Sequence, residues 1–138
     1  MMTDMERARA ALEAGGVSCA LCRGGRVTSS EQTGIRPLIG WLTADPDALR
    51  GVAVADKIVG RAAALLFVYG GVRTVYAAVL SDGAAEVLAA HGVETTCGER
   101  APYIRNRANT GPCPMEERVR GIDDPAAAFA ALRDAVPM

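Results

Sequence analysis

The segment GVAVADKIVGRAAALLFVYGGVRTVYAAVLSDGAAEVLAAHGVETTC, residues 51–97, decides the fold. Its short apolar runs contain β-branched residues and predict buried strands, and the longer apolar segments between them predict helices. The strands are expected at 51–56, 71–80 and 93–97, and the helices at 57–70 and 81–92. Because strands that alternate with helices form parallel sheets with right-handed crossovers, the segment predicts three parallel strands.

Local signals on both sides of this segment complete the expected fold. Thr3 and Glu6 have the spacing of a capping box, which predicts an N-terminal helix over about residues 3–14. Gly24-Gly25 separates two short runs rich in Val, Cys, Leu and Thr, a pattern typical of a β-hairpin. Further helices are expected in GIRPLIGWL (34–42), from Pro114, and after Asp123 or Asp124.

These elements predict an α/β protein with a three-layer α/β/α sandwich, built on one mixed sheet of a hairpin plus parallel strands. At 138 residues the chain is long enough for its own hydrophobic core, so a single domain over residues 1–138 is expected. The net charge is -1 and the basic residues are spread along the chain, which argues against a nucleic-acid partner.

The length of the apolar runs and the sequence of the first ten residues predict the cellular compartment. The longest run, 62–72, has 11 residues and is too short to span a bilayer, and the start MMTDMERARA lacks the apolar region of a signal peptide. We therefore expect a cytoplasmic protein without a membrane partner. In that compartment the four cysteines are expected as thiols or metal ligands rather than as disulfides.

Charged and polar residues follow two of the predicted strands at the points where helices begin. Asp56 and Lys57 come after the first strand with Arg61 one turn later, and Ser81 and Asp82 come after the second. Ligands of α/β sheets bind at the carboxyl ends of strands, and helix N-termini favour anions there. The alternative is structural, with Asp56 capping the helix and Lys57 lying along the surface.

Cys19-Ala20-Leu21-Cys22 looks like half of a zinc knuckle, but the rest of a ligand set is hard to find. Cys97 and Cys113 are 16 positions apart, and His91 is the only histidine. Residues three apart on a strand also point to opposite faces of the sheet, which favours core thiols over a metal site. His91 lies at the end of a predicted helix, where an imidazole has a structural role.

Cys113 precedes Pro114 and stands at a predicted helix start. Arg105 or Arg107 and the helix dipole would favour its thiolate, whereas Glu116 and Glu117 would oppose it. Cys113 is therefore a candidate nucleophile or redox thiol, with a partly buried structural thiol as the alternative.

Four blocks of the chain together resemble the family of small prokaryotic proteins called domain of unknown function 1893 (DUF1893). The blocks are GIRPLIGWL (34–42), ADKIVGRAAALL (55–66), VYAAVLSDGA (75–84) and PYIRNRANTGPCPMEE (102–117). Arg61 departs from the resemblance, since lysine is expected there in relatives. The resemblance implies a cytidine-deaminase-like α/β sandwich, and it brings no established activity.

The implied fold allows a test for deaminase chemistry. Zinc deaminases place His/Cys-x-Glu and Pro-Cys-x-x-Cys at the starts of successive crossover helices. Residues 56–58 and 81–85 hold Asp-Lys-Ile and Ser-Asp-Gly-Ala-Ala at these places, and Pro112-Cys113 lies after the third strand instead. We therefore expect no zinc-dependent deaminase activity, no metal site and no cofactor.

The leading functional expectation is a protein that binds a small anionic molecule, such as a nucleotide or a phosphorylated metabolite, at the strand-end crevice. The candidate contacts are Asp56, Lys57, Arg61, Ser81, Asp82, Asn106, Arg107, Thr110 and Glu116. One alternative is a metal-free enzyme that uses Cys113 as nucleophile or redox thiol. Another is a regulatory or scaffolding domain, which could form a homodimer.

Overall fold

A computed structural model describes residues 1–105 and 113–136. Its helices are α1 (Asp4–Glu13), α2 (Arg36–Ala44), α3 (Arg61–Gly70), α4 (Asp82–Ala90), α5 (Pro114–Arg118) and α6 (Pro125–Ala135). Its strands are β1 (Cys19–Arg23), β2 (Arg26–Ser30), β3 (Ala53–Val59), β4 (Thr74–Ser81) and β5 (Glu94–Ala101). Three predicted ligand contacts, Asn106, Arg107 and Thr110, lie outside the described residues.

The strands form one mixed sheet in the order β2-β1-β3-β4-β5. β1 pairs antiparallel with both β2 and β3, whereas β3, β4 and β5 run parallel. The predicted combination of an N-terminal hairpin with parallel strands is therefore confirmed, and the chain is a mixed α/β protein whose sheet is flanked by helices.

Three features that were predicted from residues close together in sequence, two helix caps and one turn, are confirmed. The Thr3 hydroxyl accepts a hydrogen bond from the Glu6 amide, and the Glu6 carboxylate accepts one from the Thr3 amide, which completes the capping box of α1. Gly24 and Gly25 turn the hairpin with φ of 60° and 82°, a region that favours glycine. Asp124 caps α6 by accepting from the Ala127 amide.

The two faces of the sheet have separate hydrophobic cores. The larger core contains Cys19 and is filled by α2, α3, α4 and α6, with Phe67 and Leu132 fully buried. The smaller core contains Cys22 and lies under α1. Cys19 and Cys22 therefore point to opposite faces, as predicted from their spacing on a strand.

Several predicted boundaries are wrong. The strand expected at 51–56 runs over Ala53–Val59, and the helix expected at 57–70 begins at Arg61. Ile58 and Val59 pair with Val79 and Leu80 of β4, so β-sheet pairing rather than the apolar helical pattern determines this segment. The strand expected at 93–97 also continues to Ala101, because it pairs along β4 as far as Ser81.

The boundary at Gly60 changes the predicted position of Asp56. Asp56 lies inside β3 rather than at a helix start, so it does not cap the first crossover helix as the structural alternative supposed.

Within the described ranges, no helix combines the length and the apolar character needed to cross a membrane.

Candidate functional site

The starts of α3 and α4 meet at the carboxyl edge of the parallel strands. Gly60 alone separates β3 from α3, and α4 begins directly after β4. A Cβ placed on Gly83 would lie 3.6 Å from the Cβ of Arg61, so the first turns of the two helices lie close together. The sequence predicted this convergence of helix starts at one edge, although it placed the first of them four residues too early.

The carboxylate of Glu116 caps the N-terminus of α3. Its Oε1 accepts a hydrogen bond of 2.7 Å from the Arg61 amide, and its Oε2 accepts one of 2.7 Å from the Ala62 amide. The N-cap residue Gly60 has no side chain that could accept hydrogen bonds from these two amides. A carboxylate at this position is further stabilised by the helix dipole.

Gly60 leaves the room that this contact requires. A Cβ on Gly60 would collide with Oε1 of Glu116 and would lie 2.8 Å from Cγ1 of Ile104. The φ of Gly60 is -101°, which other residues adopt as well, so the need for glycine is one of space. The backbone therefore approaches Glu116 and Ile104 more closely than a larger residue would allow.

Arg61 and Asp82, two predicted ligand contacts, are engaged in ion pairs within the protein. The Arg61 guanidinium donates to the carbonyl of Ile122 and to Oδ1 of Asp123 at 2.7 Å, which ties α3 to the chain before α6. Asp82 accepts a hydrogen bond of 2.8 Å from Nη2 of Arg100 on β5. Both side chains therefore already have partners within the protein.

Ser81 has the structural role of an N-cap. Its hydroxyl accepts a hydrogen bond of 3.0 Å from the Ala84 amide, and the residue is buried. This arrangement satisfies one of the free N–H groups at the start of α4. Ser81 thus lies at the predicted edge, but its hydroxyl is used by the helix that it begins.

Asp56 is buried and lies directly opposite Cys19 in the β1–β3 pair. Burial raises the pKa of Asp56 to about 7, against the opposing effect of hydrogen bonds from the amides of Lys57 and Ile58 and from the Cys19 thiol. Burial and the nearby Asp56 carboxylate raise the pKa of Cys19 well above that of an ordinary thiol. This pair belongs to the larger core rather than to an open crevice.

Lys57 is exposed, and it is the only lysine in a chain that otherwise uses arginine for positive charge. Successive residues of a strand point to opposite faces, so Lys57 and Asp56 do not converge. Within residues 1–105 and 113–136, the Lys57 side chain forms no ion pair with a carboxylate.

Cys113 is the N-cap residue of the five-residue helix α5 and is half-buried. Its amide donates a hydrogen bond of 2.9 Å to the carbonyl of Ile104, which links α5 to the chain after β5. His91 lies at the opposite end of α4 from the carboxyl edge, about 14 Å away for a nine-residue helix. His91 is thus remote from this edge and is poorly placed to act as a base there.

A groove of about 360 Å³ opens at the same edge beside Glu116. It is lined by Tyr103, Ile104, Glu116, Glu117 and Arg120. Tyr103 is 46% exposed, and the Arg105 guanidinium lies 5.4 Å from the centre of its ring. Tyr103 and Ile104 were not predicted as site residues, although both belong to one of the four family-like blocks.

The donor chemistry of this edge differs from that of a zinc site. The first turns of α3 and α4 contain Arg61-Ala62-Ala63 and Asp82-Gly83-Ala84, which supply no histidine or cysteine. Within the described part of the chain, no three His, Cys, Asp or Glu residues are grouped so that they could share a metal ion.

Comparisons with known proteins agree on one family. A search of curated protein sequences found no significant match. The crystal structure of a DUF1893 family protein from Thermotoga maritima superposes with a TM-score of 0.85, covering 99% of this chain and 92% of that chain at 24% identity, so the two share a fold. The family model described as domain of unknown function DUF1893 matches residues 7–136. The chain therefore belongs to the DUF1893 family.

Proposed function

We propose that this protein binds a small anionic molecule, such as a nucleotide or a phosphorylated metabolite, at the carboxyl edge of its sheet. The observation that carries the proposal is that the Glu116 carboxylate accepts hydrogen bonds of 2.7 Å from the amides of Arg61 and Ala62. Two N–H groups and a helix dipole that hold a carboxylate also suit an oxygen pair of a phosphate. In this proposal Glu116 takes the place of the ligand's anionic group until the ligand displaces it.

The groove beside Glu116 supports a ligand larger than a single ion. Its volume of about 360 Å³ falls within the usual range for small-molecule sites, roughly 300–1,000 Å³. The exposed ring of Tyr103 offers a flat surface against which a base or another planar group can stack. An anionic group at the α3 amides and a planar group on Tyr103 would together fit a nucleotide better than a phosphosugar.

The contacts proposed for the ligand are fewer than those predicted from sequence. Arg61, Ser81 and Asp82 already serve the fold through their own hydrogen bonds. Lys57 is the cation proposed to add long-range attraction, because it is exposed and lies three residues before Gly60, about 10 Å along an extended strand.

A thermal-shift screen with nucleotides and phosphosugars tests the proposal in three forms of the protein. We expect a stabilising ligand for the wild type, a larger ligand-induced shift for Glu116→Ala because the amides are freed, and a smaller shift for Lys57→Ala. Glu13→Ala is the matched control, since Glu13 is exposed on α1 and pairs with Arg9, away from the groove. The absence of any stabilising anion, or equal shifts in all variants, would contradict the proposal.

We further propose that the fold is a cytidine-deaminase-like sandwich without zinc-dependent deamination. The order of a hairpin followed by parallel strands and crossover helices supports the comparison. The residues at the two crossover-helix starts include no histidine or cysteine, the usual ligands of a deaminase zinc ion. A zinc content near one per chain in protein from cells, together with ammonia release from cytidine, would overturn this proposal.

Two alternatives stay open as predictions. A Cys113 enzyme would have to activate its thiol without His91, which lies at the far end of α4. An iodoacetamide titration with an apparent pKa near the free-thiol value of about 8.5 would exclude an activated thiol. A scaffolding domain, which could be a homodimer in the cytoplasm, would keep its oligomeric state and its function in cells when Lys57 and Glu116 are replaced.

A further inference from the structure

A second concave site lies at the opposite edge of the sheet, between the β1–β2 hairpin and the chain joining α2 to β3. It encloses about 70 Å³ and is lined by Leu21, Arg23, Arg26, Thr28, Ala48 and Val52. Because Cys22 pairs with Ala53 at the first residue of β3, this site lies at the amino end of the parallel strands. Along the seven residues of β3, it is about 23 Å from the Glu116 edge.

Two like charges face each other across the hairpin at this site. Arg23 and Arg26 are direct partners in the β1–β2 register, and both side chains line the cavity. Like charges directly opposite in an antiparallel pair are destabilising. Among the lining residues that the structure describes, none is acidic, and the nearby Asp47 carboxylate is paired with Arg50 at 3.0 Å.

The donors of this site are partly held in place. Nη1 of Arg23 donates to the carbonyl oxygens of Asp47 and Arg50, at 3.2 Å and 3.0 Å, which orients the guanidinium and leaves its other N–H groups available. Thr28 lies opposite Leu21 in the same register, and its side chain lines the cavity. Two guanidinium groups and one hydroxyl therefore surround a small space with an apolar floor of Leu21 and Val52.

We propose that this cavity binds a single tetrahedral oxyanion, a phosphate either free or carried by a larger molecule. Guanidinium groups match the geometry of phosphate oxygens and form charge-assisted hydrogen bonds with them. A volume of about 70 Å³ is roughly that of two water molecules, which suits one phosphate group and is too small for a whole nucleotide. The anion relieves the repulsion between Arg23 and Arg26. The proposal is independent of ligand binding at the Glu116 edge.

A titration of ¹⁵N-labelled protein with inorganic phosphate, followed by amide chemical shifts, tests the site. We expect saturable shifts at residues 21–28 and 48–52, at least tenfold weaker binding at these residues for Arg26→Gln, and weaker binding there for Thr28→Val. Arg133→Gln, which replaces an exposed arginine on α6, is expected to bind phosphate like the wild type. Because Arg26→Gln removes the repulsion, its melting temperature in phosphate-free buffer should equal or exceed that of the wild type.

A second titration with phosphoserine distinguishes the two sources of phosphate. Tighter binding of phosphoserine than of inorganic phosphate supports a group carried by a larger molecule, whereas equal or weaker binding supports the free ion. Non-saturable shifts, the absence of shifts at residues 21–28 and 48–52, or an affinity at these residues unchanged by Arg26→Gln would overturn the proposal. Loss of binding at the Glu116 edge alone would leave this site intact, so the two proposals fail separately.

Discussion

The carboxylate of Glu116 caps α3 by accepting a hydrogen bond of 2.7 Å from the amide of Arg61, a residue 55 positions earlier in the sequence. Its second oxygen accepts the Ala62 amide, so one side chain satisfies two of the free N–H groups at this helix start. The contact also fastens the chain after β5 to the first crossover. Stability and the proposed ligand site therefore depend on the same residue.

Replacement of Glu116 should destabilise the fold. We expect Glu116→Ala to lower the free energy of unfolding by about 1–2 kcal/mol, because two N–H groups at the start of α3 lose a charged acceptor. Urea unfolding followed by circular dichroism measures the change. Glu117→Ala, which removes only a long, exposed contact to Arg120, should change stability by less than about 0.5 kcal/mol. Equal effects of the two substitutions would contradict the capping role.

Gly60→Ala should be destabilising because of space rather than conformation. The added methyl group would collide with the Glu116 carboxylate and would lie 2.8 Å from Cγ1 of Ile104, so we expect a loss of about 1–3 kcal/mol. Gly83→Ala is the matched control, since its methyl group would be 3.6 Å from the nearest atom, and alanine in a helix is favoured by up to about 1 kcal/mol.

A double-mutant cycle separates the two contacts of Gly60. In the Glu116→Ala background, Gly60→Ala should cost less than it does alone, because only the contact with Ile104 remains. Additive losses would show that the Glu116 carboxylate does not restrict this position.

Asp56 should make the protein less stable as the pH rises from about 4 to 7. Burial raises its folded-state pKa to about 7, whereas the unfolded pKa is near 3.8, so between these values the folded state binds more protons. The contribution is fully present below the unfolded pKa and is lost as the pH rises through 7. One such proton corresponds to a slope of about 1.4 kcal/mol per pH unit.

Asp56→Asn provides the comparison, since asparagine keeps the size and polarity of the side chain without titrating. Urea unfolding at pH 5, 6, 7 and 8 should show a shallower decline of stability for this variant than for the wild type. Asp4 and Glu6, whose pKa values are lowered by backbone hydrogen bonds from Gly25 and Thr3, act in the acid range instead. Parallel pH profiles of the two proteins would contradict the assignment to Asp56.

The four cysteines should react with thiol reagents in two classes. Cys19 and Cys22 are buried, and burial raises the pKa of both thiols, so they should be modified only on unfolding. Cys97 and Cys113 are half-buried and should react in the folded protein. Mass spectrometry after timed alkylation measures the order, and early modification of Cys19 would contradict the packing of the larger core.

The parts of the fold that sequence could predict are those that neighbouring residues decide. The capping box at Thr3, the Gly24-Gly25 turn and the Asp124-Pro125 helix start depend on contacts within four residues. The β3–α3 boundary could not be predicted in this way, because an apolar run fits both a buried strand and a buried helix. Ile58-Val59 before Gly60 was the available signal, since β-branched residues favour strands.

The edge of the sheet where polar groups gather could be predicted, but the contacts that these groups make could not. Strand order and helix starts correctly indicated which edge of the sheet gathers polar groups, because parallel strands end at one edge. The partners of Arg61 and Glu116 could not be predicted, since each contact joins residues more than 50 positions apart. A charged residue at a predicted strand end therefore has more than one available role, and only the tertiary contacts decide which one it takes.

The most direct test of the account is a crystal structure with the strongest ligand of the thermal-shift screen. We expect an anionic group of that ligand within hydrogen-bonding distance of the Arg61 and Ala62 amides, with the Glu116 carboxylate turned away from them. A structure in which Glu116 keeps both amides, while the ligand binds elsewhere or is absent, would contradict the proposed function.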